Sequence, residues 1–411
     1  MRLFSTLLLT GALLTAPVIA SAECNVKGSG EVNIISNSYP SLEVVNKAME
    51  ACSKDGVTVA SKMTTEHKEE TAQALAASSS PYDLAQLSNS TIPPLQAAGQ
   101  LQPMNDLVDK YKDQYKIEDA TLIKFGDDIM AIAFQVNSQH LFYRKDLLEK
   151  HNIAVPETYD EVLAAAEILK KDDSIEFALG GTYKSGWNLA QEFINNYLAT
   201  GGELFDLATA MPSFNNENGV KTLELMKKLM GYMSPNALAL DSTAVMQQFQ
   251  QGQIAMANLW ASRALKMDDE TESKVVGQIE FAKAPSLTKG GAPATTLWWD
   301  GYSMPKNMDG DRDLTFQVLM EGLKEEVVLE NNDITIWLRS AYKPSRFSKG
   351  AYESATAGAP SYPMRPQNGL VHSAIGANIG DFLSGKESAK DSLADAEAAY
   401  ISAAKEKGFI K

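Results

Sequence analysis

The chain has 411 residues, 44% of them hydrophobic and 22% charged, with 27 Gly and 16 Pro. These fractions exclude a disordered, collagenous or disulfide-scaffold protein, and the length suits two or three domains, each with its own core. Lys and Arg number 37 against 52 Asp and Glu, and the resulting charge of −15 argues against partners that are nucleic acids or anionic lipid surfaces. Such an acidic chain is expected to remain a monomer by self-repulsion.

Residues 1–22 read as a secretory signal peptide: Arg2 is their single charge, an apolar run spans Leu7 to Ile19, and Ala20-Ser21-Ala22 supplies the small-residue cleavage site. Loss of Arg2 takes the net charge from −15 to −16. No later stretch reaches the roughly 18 continuous apolar residues of a membrane span. Glu23 separates Ala22 from Cys24, which excludes a lipoprotein box, so the mature protein is expected in the periplasm without a lipid anchor.

Cys24 and Cys52 are the two cysteines. Cys24 precedes a strand-like run, and Cys52 ends a helix whose apolar positions Leu42, Val45 and Met49 follow helical spacing. A strand followed by a helix running back beside it brings both sulfurs to one end, so a disulfide is expected in an oxidising compartment. Closing about 29 residues would stabilise the fold by roughly 3–4 kcal/mol. Two buried free thiols are the alternative.

Strand-like runs follow at Val32–Ile35, Val57–Ser61, Tyr82–Leu87, Ile129–Phe134, Phe177–Leu179, Ile254–Asn258, Ile279–Lys283 and Gly301–Met304. Helical patterns separate them. Thr158 and Glu161 form a capping box opening a helix to Lys171, a second helix runs from Ser242 to Gln251, and a third from Asp391 to Lys407. Strands alternating with helices predict an α/β fold with a mostly parallel sheet. The Ala-, Pro- and Gly-rich stretch Thr356–Gln367 reads as an irregular segment wrapping a surface.

Catalytic motifs are weak. The chain has no nucleophile elbow, phosphate loop, dinucleotide fingerprint or zinc-protease helix. His67, His140, His151 and His372 lack metal-ligand spacing and read as surface or capping residues. Asp309 to Asp313 begins like a calcium loop but has Leu314 and Met320 where Gly and Glu are needed. No cofactor, metal site or enzymatic activity is expected. Aromatics do gather at strand ends and loops: Tyr183 and Trp187, Trp260, and Trp298-Trp299 before Asp300. Such faces beside hydrogen-bonding groups suit a sugar, although any of these tryptophans could equally be core.

Four segments carry a resemblance. Phe249-Gln250-Gln251-Gly252-Gln253-Ile254-Ala255-Met256, followed by Asn258-Leu259-Trp260, is similar to an F-x-x-G-x-x-A-M box. Ile132–Lys145 with Pro156–Leu169 matches "LYYNKDLF … PPTTWDEL" at Tyr143, Lys145, Asp146 and Leu147, with Arg144 for Asn and Tyr159 for Trp. Thr296–Lys306 resembles "TLGGWGLAIPK", and Lys343-Pro344-Ser345-Arg346 a "PxR" turn. In this order they resemble the extracellular solute-binding proteins of ABC importers, of the maltose-binding, carbohydrate type.

The resemblance implies a periplasmic-binding-protein type II-like clamp of two α/β lobes: 23–136 plus 285–338, and 137–284 plus 339–411. Crossings fall near Gln135–Asn137, Ala282–Pro285 and Ile334–Tyr342. The partners it implies are a small-molecule ligand, a sugar or polyol, and a membrane permease powered by an ATPase. Its candidate ligand contacts are Asn37, Ser38 and Tyr39 after the first strand, Ser88 and Asn89 after the third, and Asn137 at the hinge. Tyr183, Trp187, Trp260 and Arg365 complete the set, with Trp298, Trp299 and Asp300 standing where the family reads Gly-Gly-Trp. That departure implies a pocket of different shape and charge. A cationic metabolite in an aromatic cage with a carboxylate is the second reading, and a secreted enzyme the third.

Overall fold

Residues 24–411 are described by a computed structural model, and the expected signal peptide lies outside the described residues. The strands are β1 (Gly30–Ser36), β2 (Val57–Met63), β3 (Leu84–Ser88), β4 (Leu101–Gln102), β5 (Leu122–Phe125), β6 (Asp128–Asn137), β7 (Gln139–Arg144), β8 (Phe177–Leu179), β9 (Ile254–Trp260), β10 (Ile279–Ala282), β11 (Trp298–Pro305) and β12 (Ile336–Trp337). They form two sheets. The first has the order β12-β6-β11-β3-β1-β2, with β4 paired to β11 and β5 to β6, and the second is β10-β7-β9-β8.

The expectation of a mostly parallel sheet is corrected by this topology. Only β1–β2, β1–β3 and β8–β9 run parallel among the described pairs. After its excursion through the second sheet the chain inserts β11 between β3 and β6, antiparallel to both. β5 and β6 form a hairpin, and β7 is antiparallel to β9 and β10. The short strands β4, β5, β7 and β12 carry too little alternation or length to stand out in the sequence.

Each sheet is covered by helices on the faces its apolar residues dictate. Val32 and Ile34 of β1 pack with Leu42, Val45 and Met49 of helix 40–50 and with Phe316 and Leu319 of helix 312–322. The Cys24–Cys52 disulfide, with Cα atoms 5.2 Å apart, ties the start of the chain to the end of helix 40–50 as expected. In the second sheet, Leu141 and Met256 meet Tyr159, Val162 and Ala166, whereas Phe142 and Ile254 meet Val245, Phe249 and Phe281. Helices 187–198, 217–230, 368–378 and 389–406 build a further core around Phe193, Leu223, Ile375, Leu393 and Tyr400. The Thr158 capping box is present, with Glu161 bonding back to the Thr158 amide.

The two lobes meet where β6 passes into β7 through the single residue Ser138. The segment after β10 stays with the second sheet beyond the expected crossing at Ala282–Pro285. Tyr159 donates its amide to Ser286 and Ala294 packs with Leu141, so the return falls at Thr295–Leu297. The third passage lies between Arg339, which donates to the Tyr115 and Lys116 carbonyls of the first lobe, and Arg346, which reaches the Ile279 carbonyl of the second.

Candidate functional site

Register brings the site together. Across β6 and β11, Asn137 stands opposite Trp298, and across β7 and β9, Gln139 stands opposite Trp260. Asn137-Ser138-Gln139 is the junction itself, so both tryptophans are delivered to it, one from each sheet, with ring centroids 6.1 Å apart and nearly perpendicular. Side chains two apart on a strand share a face. Trp298 and Asp300 therefore point into a cavity of about 300 Å³ between the lobes.

The aromatic wall is completed by Trp187, the first residue of helix 187–198. Its ring lies 6.2 Å from Trp260 and 5.7 Å from Trp298, and it is 36% exposed. Two glycines set its position. Gly186 has φ 93°, and Gly376 brings helix 368–378 so close that a Cβ there would sit 2.2 Å from the Gly186 carbonyl. His372 on that helix stacks 5.0 Å beneath Trp187, with Nε2 2.9 Å from the Trp187 carbonyl and Nδ1 2.9 Å from the Tyr362 hydroxyl. Burial pushes its pKa down to about 4, so near neutrality it is an uncharged spacer. Tyr362 packs 4.1 Å from Trp298. The irregular segment thus does more than wrap a surface: the Leu297 amide donates to the Pro360 carbonyl and the Tyr362 amide to the Leu297 carbonyl, which seats Tyr362 under the cluster.

The opposite wall is polar. Asp300 accepts from Gln86 Nε2 at 2.9 Å and Gln135 Nε2 at 2.7 Å, and Gln135 Nε2 also donates to the Tyr39 hydroxyl at 3.1 Å. Gln135 in turn accepts from Ser41 and Thr335. Desolvation raises the Asp300 pKa, opposed by these donors and by the nearby Lys68 charge. Both carboxylate oxygens are thereby engaged inside their own lobe.

Of the sequence candidates, Asn37, Tyr39, Ser88, Asn137, Trp187, Trp260, Trp298 and Asp300 line this cavity, and five others do not. Ser38 is exposed, its amide donating to Asn37 Oδ1 at 2.8 Å. Asn89 is a buried strut, accepting from the Trp299 amide at 2.7 Å and donating to the Tyr362 carbonyl. Trp299, on the opposite strand face from Trp298, packs with Leu87, Ile92 and Ala131 and donates to Met364 Sδ. Tyr183 is buried with its hydroxyl on the Met226 carbonyl, beside a separate void of about 30 Å³ next to Glu192. Arg365 is exposed and not among the lining residues. The histidines also need correcting, since His67, His140 and His372 are buried rather than on the surface.

The cavity adds residues the sequence reading missed: His67, Lys68, Gln86, Ser90, Asn188, Ser242, Ser262 and Arg263. A polar Gln within the wholly buried strand β3 was one available signal, and Ser262-Arg263 directly after β9 was another, because ligands in α/β folds sit at strand ends. For Lys68 the sequence holds no signal. Among the described residues no group of His, Cys, Asp or Glu is arranged to hold a metal ion, and no helix is long and apolar enough to cross a membrane.

Residues 55–308 match the profile of the bacterial extracellular solute-binding proteins, and the chain belongs to that family. It is 28% identical over 136 residues to a probable amino-acid ABC transporter periplasmic-binding protein of Sinorhizobium fredii, a stretch that is 33% of this chain and 31% of that protein. It is 26% identical over 213 residues to the mannitol-binding protein of Pseudomonas aeruginosa, 49% of this chain and 48% of that one. The matched stretches thus span under half the length of these relatives. The fold is shared with a solute-binding protein of an ABC transporter from Agrobacterium radiobacter solved with ribitol, at 20% identity and a TM-score of 0.77, over 91% of this chain and 98% of that one.

Proposed function

We propose that this protein captures a sugar or polyol between its lobes and delivers it to the permease of an ABC importer. The observation that carries the reading is the cavity at the Asn137–Gln139 junction, with three tryptophan rings along one side and amide, hydroxyl and carboxylate groups along the other. The apolar faces of a sugar ring suit the former and its hydroxyl rim the latter. Ribitol in the related structure and the mannitol-binding relative support the same ligand class.

The lobes divide at the β6–β7 passage, and their closure around ligand would exclude water from the cleft. The protein acts in the periplasm as an unanchored monomer, and it binds without turning its ligand over. Lys68 and Arg263 facing the cavity weigh against the cationic-metabolite reading.

The test is calorimetric titration of pentitols, hexitols and mono- to trisaccharides, each recovered afterwards and analysed. Saturable binding with unchanged ligand is expected. Binding of none of these compounds would sink the proposal, and accumulation of a product would replace it with an enzyme.

A further inference from the structure

The charges around the cavity do not balance. Lys68 enters from the first lobe on helix 67–76, and Arg263 from the second, just after β9. The Lys68 ammonium sits 5.1 Å above the Trp187 ring. Arg263 lies against the cavity with its Nε buried and without a hydrogen-bond partner. Among the described residues neither cation has a carboxylate within ion-pair distance.

Glu69 and Asp300 favour the Lys68 charge from beyond ion-pair distance, and Glu69 is not part of the cavity lining. Asp241, the acid that attracts Arg263, caps helix 242–250 and pairs with Lys184 at 3.1 Å. Asp300 already accepts one hydrogen bond on each oxygen, from Gln86 and Gln135. His67, also on the lining, is held near pKa 4 by burial and is neutral. Among the lining residues, two cations against one carboxylate leave one positive charge, and the cations come from lobes that must approach each other on closing. Helix 187–198 adds to this field, because it starts at the cavity with no side-chain cap and no acid in its first turn. An unpaired guanidinium in a narrow cleft is costly unless an anion meets it.

We propose that the ligand is an acidic sugar or polyol carrying a single carboxylate, a hexuronate or an aldonate, whose carboxylate lies between Lys68 and Arg263 while its ring or chain rests on the tryptophans. The inference builds on the sugar-capture reading and narrows it. A monocarboxylate matches the one residual charge, whereas a sugar phosphate would overshoot it. Bridging the two lobes, the carboxylate would couple recognition to closure.

The experiment compares matched skeletons by calorimetry on the full mature protein: neutral hexoses and hexitols, the corresponding uronates and aldonates, hexosamines, and hexose 6-phosphates. At least one monocarboxylate is expected to bind about tenfold or more tighter than its neutral counterpart, with affinity falling as salt is added. Arg263→Gln and Lys68→Met should each erase most of that preference while leaving the unliganded melting temperature near wild type, and Arg263→Lys should restore part of it. A neutral compound binding as tightly as its acid would overturn this proposal and leave sugar capture standing. Tighter binding of the phosphate would overturn the monoanion assignment, and a preference unchanged in both charge-removing variants would overturn the anchoring residues. If no compound binds, both this proposal and the reading beneath it fail.

Discussion

The two walls of the cleft are built on opposite principles. The polar wall is a set of strand side chains, Gln86, Gln135 and Asp300, each placed by β-sheet register and satisfied by the others. The aromatic wall is assembled from four distant segments: Trp187 on a helix, Trp260 and Trp298 on strands of different sheets, and Tyr362 with His372 from the C-terminal part. One is fixed by local geometry within a sheet, the other by packing between lobes. The contrast teaches that the hydrogen-bonding side of the pocket should tolerate loss of a ring, whereas the ring side depends on the whole interlobe junction.

The strongest test of that contrast is Trp298→Ala. Trp298 is 7% exposed and packs with Tyr362, Trp260 and Trp187, so truncation should cost about 3–5 kcal/mol of stability. Urea unfolding measures it, and a loss below about 1 kcal/mol would show the ring to be a loose cleft lining.

Acidification should strain the aromatic wall next. His372 has its pKa held near 4 by burial, against the usual value near 6.5. The unfolded chain takes up this proton first, so the stability contribution is complete above pH 6.5 and is lost as pH falls toward 4. Within that window each such histidine should contribute about 1.4 kcal/mol per pH unit to the slope. His67 and His140 have depressed values as well, so the wild-type slope is a sum, and His372→Gln should flatten it by one proton's share. An unaltered slope in that variant would refute the assignment.

On the polar wall, Asp300→Ala removes the acceptor shared by Gln86 and Gln135, and should cost about 1–3 kcal/mol for donors left without a partner. Asp300→Asn should recover part of it, because one oxygen remains. Equal losses in the two variants would mean that the network is not held by its acceptor.

The smallest effect on folding is expected from Trp187→Ala, the most exposed of the three rings. Its unfolding free energy should stay within about 1 kcal/mol of wild type, while affinity for a bound sugar falls by about 1–3 kcal/mol. A large stability loss with unchanged affinity would reverse the roles assigned to Trp187 and Trp298.

Much of the framework was legible because it rests on short-range rules. A short apolar run placed β8 at Phe177–Leu179, hydrogen-bonding residues three apart marked the Thr158 cap, and an even cysteine pair marked the Cys24–Cys52 bridge. Family motifs then pointed to the cleft tryptophans. What the sequence could not decide was direction and depth. Trp298 and Trp299 are neighbours of one chemistry, yet a strand starting at Trp298, rather than at Gly301, sends the first into the cavity and the second into the core. Asn89 and Tyr183 look like ligand contacts in a loop, and only the packed structure shows their polar atoms engaged by Trp299, Tyr362 and Met226. Lys68 and Arg263 lie 195 positions apart in the sequence. That they face one cavity is a property of two lobes meeting, and long-range juxtaposition of this kind leaves no periodicity in a chain for a reader to find.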